Sequence, residues 1–332
     1  MTAIETEDLH KHFGDLTALD GLDLTVETGE VYGFLGPNGA GKSTTINLLL
    51  GFLHPSSGSA RVLGHDVVSE SRALRRRIGV LPEAFSPYER LTAREHVRYA
   101  ADLKDVAVDP DALLDRVGLD ETAWDRAAGG FSTGMEQRLA LACALVGDPA
   151  LLILDEPSSG LDPRGMAELR ELIRAEAAGG TTVFFSSHIL SEVEAVCDRI
   201  GILVDGDLVA EGTIDELRDG TETHSPLDIR VDGVPEGFDL GDVDGVASVS
   251  VEDSTLSALV TDAGAKIEVI RRVDQVAEIR DVISEPASLE ALFDRYANGE
   301  SAEGSTVDGD GSSDDAGDST DGTDAGSTEV RP

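Results

Sequence analysis

The stretch GPNGAGKSTT, Gly36 to Thr45, decides how the chain folds. An apolar run, VYGFL, leads into it, and STTINLLL, with helical spacing of its apolar residues, leads out. Strand, glycine loop and helix in that order form an anion cradle. Gly36, Gly39 and Gly41 let the backbone amides of Gly36, Pro37, Asn38, Gly39, Ala40 and Gly41 wrap a phosphate chain, apart from the proline, which has no N–H. The helix start adds partial positive charge toward Lys42, Ser43 and Thr44. Lys42 is one of only four lysines, with Lys11, Lys104 and Lys266. The pattern G-x-x-x-x-G-K-[ST] assigns Lys42 to the β- and γ-phosphates and Ser43 to Mg²⁺.

Working outward, LLILDEP, Leu151 to Pro157, is a continuous apolar run ending in two acids, as in a central parallel strand. Asp155 is placed to hold the Mg²⁺ shell and Glu156 to orient or deprotonate an attacking water. TTVFFSSH reads as the next buried strand, ILSEVEAVCD as a helix and RIGILVDGDLVAEG as a closing hairpin. MAELRELIRAEAAG reads as an amphipathic helix, and Ser71 to about Leu145 as mostly helical with a Pro and Gly break. Strands alternating with helices imply a doubly wound α/β domain with its ligand at the carboxyl ends of the strands. After a composition shift near Gly220 to Pro226, LDIRV, ASVSVEDSTLSALVTD and AEIRDVIS read as strands, AKIEVIRRV and SLEALFDRY as helices.

FSTGMEQRLALACAL, Phe131 to Leu145, narrows the class. It resembles the signature segment of ATP-binding-cassette proteins, with Ser132, Gly134, Gln137 and Arg138 in place and Phe131, Thr133 and Met135 departing from the commonest form. Physically, Ser132 also caps a helix, and a helix start binds anions. Other segments follow in the order of that family. Phe13 in HFGDLTAL resembles the aromatic that stacks on adenine. SSGLDP, Ser158 to Pro163, resembles the D-loop. FFSSHILSE resembles the switch segment, which makes His188 the γ-phosphate contact. IGVLPEAFSPYERLTAREHV resembles the Q-loop, with Glu83 standing where a metal-contacting glutamine is usual. The resemblance covers six segments over about residues 1–220. It implies an α/β P-loop nucleotide-hydrolase fold with a helical subdomain at about 86–140. Its ligands would be ATP and Mg²⁺, with Lys42, Glu156 and His188 catalytic, and with Ser132 and Gly134 completing the phosphate site of a second cassette, in a homodimer. The small α+β module at 225–298 is similar to the C-terminal extension of drug, sodium and polysaccharide exporter cassettes, which serve a separate integral-membrane permease.

Composition sets further bounds. The 332 residues carry 65 acidic against 26 basic side chains, a formal net charge of −39. Residues 300–332 hold ten of the acids and one arginine. The remaining excess coats the globular part and argues against nucleic acid as a partner, since phosphate contacts need Lys and Arg. Arginine-rich, lysine-poor and evenly acidic, the chain is read as adapted to a very salty, haloarchaeal type of cytoplasm. The tail at 299–332 lacks an apolar face and is expected to be disordered. Cys143 and Cys197 are far apart in apolar contexts and are read as buried thiols. His10, His12, His54, His65, His96 and His224 are read as surface or packing residues. Without a visible signal peptide or spanning run, the expected location is cytoplasmic, peripheral at the inner face of the membrane through the permease. The rival function is a soluble cassette ATPase of DNA repair, chromosome handling or translation; a third is a cassette that binds ATP only as a regulator. The coiled coils, zinc cysteines or fused second cassette of the former are missing from the sequence, and the Asp155–Glu156 pair with His188 argues against the latter.

Overall fold

The computed structural model describes residues 1–219, 225–233, 238, 240–241, 243–252, 254–261 and 263–284. The helix expected at SLEALFDRY, the acidic tail and His224 lie outside the described residues. The chain opens with the antiparallel pair β1 (Thr2–Phe13) and β2 (Leu16–Glu27). It then enters β3 (Val31–Leu35), passes the glycine loop and starts α1 (Lys42–Leu49). β4 (Ser57–Val62) returns to pair with β1, β5 (His65–Asp66) pairs with β4, and α2 (Ser71–Arg75) leads to β6 (Ile78–Leu81).

Helices follow: α3 (Ala93–Lys104), α4 (Pro110–Arg116) and α5 (Thr133–Ala144). Their starts are written locally. Thr92 and Glu95 form a reciprocal capping box, Asp109 caps α4 ahead of Pro110, and Ser132 accepts from the Met135 amide. Then come β7 (Leu151–Asp155), α6 (Pro163–Ala178, capped by Asp162), β8 (Thr182–Ser187), α7 (Leu190–Glu194), β9 (Arg199–Val204), β10 (Asp207–Gly212) and α8 (Ile214–Asp219).

The central sheet runs β10-β9-β3-β8-β7-β6, parallel except for the β9–β10 hairpin. Successive residues of β7 feed two different cores, as a strand buried on both faces requires. Leu152 and Leu154 join a core with α3–α7 residues such as Val97, Leu139, Leu169 and Val193. Leu151 and Ile153 join another with Ile46 and Leu49 of α1 and with Ile4, Leu22, Leu24 and Val62 of the antiparallel sheet.

The segment Ser71–Leu145, expected to be mostly helical, also holds a strand: Ile78–Leu81 pairs in parallel with β7. Four residues are too few to show a period, and only the tertiary pairing fixes them. Helices lie on both faces of the central sheet, but α1 shares its face with an antiparallel sheet, β2-β1-β4-β5.

The third sheet has the order β12-β13-β11-β14, from β11 (Ser225–Val231), β12 (Val246–Glu252), β13 (Thr255–Val260) and β14 (Ile279–Ser284), with every pairing antiparallel. Helix α9 (Ala263–Asp274) adds Ala265, Val269 and Val273 to its own core of Leu227, Ile229, Leu256 and Val260.

Candidate active site

The loop from β3 to α1 is shaped by steric necessity at two glycines. A Cβ on Gly36 would stand 2.4 Å from the Leu203 carbonyl oxygen. At Gly41, where φ is +111°, it would meet the Ala18 carbonyl oxygen at 2.6 Å. The loop therefore fits against β9 and β2 only with glycine at these points. Lys42, 6% exposed, folds back under it. Its Nζ donates to the carbonyls of Gly36 (2.7 Å) and Pro37 (3.2 Å) and lies 3.5 Å from Glu156 Oε1.

The other half of the site comes from the register of β7 against β8. Asp155 pairs with Ser186, and the Ser186 hydroxyl donates to Asp155 Oδ1 at 2.6 Å while accepting from the Glu156 amide at 3.1 Å. Glu156 has φ +48°, a left-handed backbone that costs an L-residue on the order of 1 kcal/mol or more. Strain of this kind concentrates at functional positions, and here the Ser186 bond helps hold it. The second Glu156 oxygen, Oε2, is 2.8 Å from His188 Nδ1. Burial raises the carboxyl pKa of Asp155, the Ser186 bond opposes this, and the negative charges of Glu83 and Glu156 push it up further.

A cavity of about 370 Å³ opens over these groups, lined by Phe13, Thr17, Asn38, Lys42, Glu83 and Glu156 among others. Gly39, Gly41, Ser43 and Thr44 line it too, as do Leu16 and Ala18. Phe13, 45% exposed at the end of β1 and with Lys11 Nζ 4.9 Å from its ring centroid, is the aromatic ring on the cavity wall. Ser43, Asp155 and Glu83 supply hard oxygen donors, and this donor set suits Mg²⁺. Ala40 is buried behind the loop.

Ser132 and Gly134 do not line this cavity. Ser132 caps α5, and the loop packs on its own D-loop: a Cβ on Gly160 (φ +76°) would meet Thr133 Cγ2 at 2.7 Å. The Thr133 methyl group thus faces Gly160. Gln137 reaches the other way, Nε2 donating to the Pro157 carbonyl at 2.7 Å, next to Glu156.

Sequence reasoning missed Ser186, Ser187 and Glu192. The signal was the serine pair before His188, but its meaning depends on strand register. His96 is a buried packing residue: Nδ1–H donates to the Thr92 carbonyl and Nε2 accepts from the Tyr88 amide. Both cysteines are free, and burial pushes the Cys143 thiol up to about 12 and Cys197 well above its ordinary range.

Residues 19–159 match the ABC transporter family. The daunorubicin resistance ATP-binding protein DrrA3 of Streptomyces coeruleorubidus is 39% identical over 306 residues, covering 88% of this chain and 95% of that protein. The bacitracin transport ATP-binding protein BcrA of Bacillus licheniformis is 44% identical over 65% of this chain and 72% of its own. Among solved structures, an ATP-binding subunit of an ABC transporter superposes with a TM-score of 0.61 at 33% identity, covering 66% of this chain and 93% of that one. With one relative matched along nearly the whole length of both chains and the cassette family's model matched across the glycine loop and the strand-end acids, the chain belongs to the ATP-binding-cassette family, as an ATP-binding and ATP-hydrolysing transporter subunit.

Proposed function

We propose that this subunit powers export through a separate integral-membrane permease, working as a homodimer whose two copies close on two ATP molecules with Mg²⁺. The observation that carries the catalytic reading is the carboxylate of Glu156, held between Lys42 at 3.5 Å and His188 at 2.8 Å. Both partners are cationic or hydrogen-bonding groups that a γ-phosphate attracts. Once they turn to phosphate, Glu156 is free to take the proton of a water. That water attacks the γ-phosphorus, the bond to the β-phosphate oxygen breaks, and ADP and inorganic phosphate result. Lys42 and the loop amides hold the phosphates, Phe13 stacks on the adenine, and Ser43, Asp155 and Glu83 would hold the metal, which would neutralise phosphate charge.

Ser132 and Gly134 stand outside their own chain's cavity, which supports their use on a second copy. ATP then favours the closed pair, and hydrolysis removes the charge that holds it. Export follows the relative whose name records drug resistance and whose match extends over 88% of this chain. Among the described residues no helix is long and apolar enough to cross a membrane. We place the subunit in the cytoplasm, at the inner membrane face on its permease.

Equilibrium ATP binding tests the base of this reading. Lys42→Ala is expected to weaken retention by at least ~10-fold, the scale of one charge-assisted hydrogen bond. Parental affinity in that variant would refute it.

A further inference from the structure

The acids of the site are accounted for by phosphate and metal chemistry, but one buried carboxylate behind them is not. Glu192, on α7, is 7% exposed. Its Oε2 accepts two hydroxyl bonds, from Ser158 at 2.5 Å and from Ser187 at 3.0 Å. Its Oε1 has no hydrogen-bond partner among the described residues. A half-satisfied buried carboxylate is a costly way to fill space, and an apolar side chain would pack there at less cost.

The two serines explain what the cost secures. Ser158 lies two residues after Glu156, and Ser187 lies one before His188. The Ser187 hydroxyl also accepts from the Ile189 amide at 3.0 Å, closing a turn around His188. With the 2.8 Å contact between His188 and Glu156, this makes a closed ring: Glu156, Pro157, Ser158, Glu192, Ser187, His188 and back to Glu156. One oxygen atom thereby sets the spacing between the segment that carries the proposed base and the segment that carries the proposed phosphate contact.

We infer that Glu192 is a positioning residue for hydrolysis: through Ser158 and Ser187 it fixes the segment that carries His188 beside the segment that carries Glu156, at the reacting end of the nucleotide. The inference rests on the roles proposed above for Glu156 and His188. Glu192 does not touch the loop of Lys42 through any of these bonds, so it acts on the reacting end of the nucleotide and not on the loop that grips the phosphates. Catalytic groups misplaced by about 1 Å lose on the order of 100-fold in rate.

The test is steady-state ATPase kinetics of the full chain. Glu192→Ala is expected to lower kcat by ~30- to 100-fold, with KM for ATP within about twofold of the parent. Glu192→Gln keeps one acceptor oxygen for both hydroxyls and is expected to restore kcat to within about threefold. In a His188→Ala background, adding Glu192→Ala is expected to cost nothing more, because both changes break one unit. A KM that rises in step with the loss of kcat, a glutamine variant as poor as alanine, or additive losses in the double variant would each overturn the inference. If Glu192→Ala fails to fold, Ser187→Ala takes its place: it leaves the carboxylate and its Ser158 bond, and an unchanged kcat there overturns the inference too. His188→Ala with parental kcat would instead remove the underlying role of His188, a result told apart by the single variant alone.

Discussion

Glu156 holds a left-handed backbone that side chains rarely adopt, and its two oxygens are both engaged. Replacing it with glutamine keeps the shape and removes the proton acceptor. Glu156→Gln is expected to lower ATP hydrolysis by ~100-fold or more, the range of general-base catalysis, while leaving ATP bound and the pair of cassettes closed. Size-exclusion chromatography with ATP, beside a phosphate-release assay, checks both halves; near-parental turnover would count against Glu156 as base. At this scale much was legible from sequence. Lys42, Ser43, Asp155 and Glu156 announce themselves because backbone amides, a lysine and a strand-end acid need fixed local spacing. Ser186 and Glu192 stayed hidden because their meaning arises only when β8 lies beside β7 and α7 folds back behind both. The Thr133 departure also resolves only in three dimensions, where its methyl group meets Gly160.

Among elements, the helical segment α3–α5 is tied to α6 by specific ion pairs. Arg138 joins Glu168 at 2.5 Å, and Arg116 at the end of α4 reaches Glu176 Oε2 at 2.7 Å and Oε1 at 2.6 Å. Glu176 is 2% exposed while its arginine is half-exposed. Burial raises the Glu176 pKa above 4.5, and Arg116 only partly opposes this. A carboxyl with a raised folded pKa stabilises the fold below its unfolded value of 4.5, and that contribution is lost as pH rises through the folded value. Glu176→Gln is therefore expected to be neutral or to stabilise by about 1 kcal/mol at pH 7, with the gain vanishing below pH 4.5. Thermal melts at the two pH values check this; a large loss at pH 7 would show that the ion pair outweighs its desolvation. Helices were read well where caps and amphipathic spacing agree, as in α6. The strand β6 does not stand out from its mostly helical surroundings in the sequence, because it is fixed by its neighbour rather than by its own pattern.

For the whole molecule, the acidic coat sets the conditions of work. With a formal net charge of −39, self-repulsion favours expansion unless ions screen it. ATPase activity and melting temperature are both expected to rise with KCl, with the optimum above ~0.5 M, where screening is nearly complete. An optimum below that would contradict adaptation to salt. The alternation of strands and helices in the sequence disclosed the central sheet. It did not disclose the antiparallel sheet, because strands split by the phosphate loop come together only in the fold. The third sheet shares no strand with the other two and carries its own apolar interior. That trailing piece can thus be rewritten without breaking a single hydrogen-bonded strand pair of the sheet that carries the nucleotide loop.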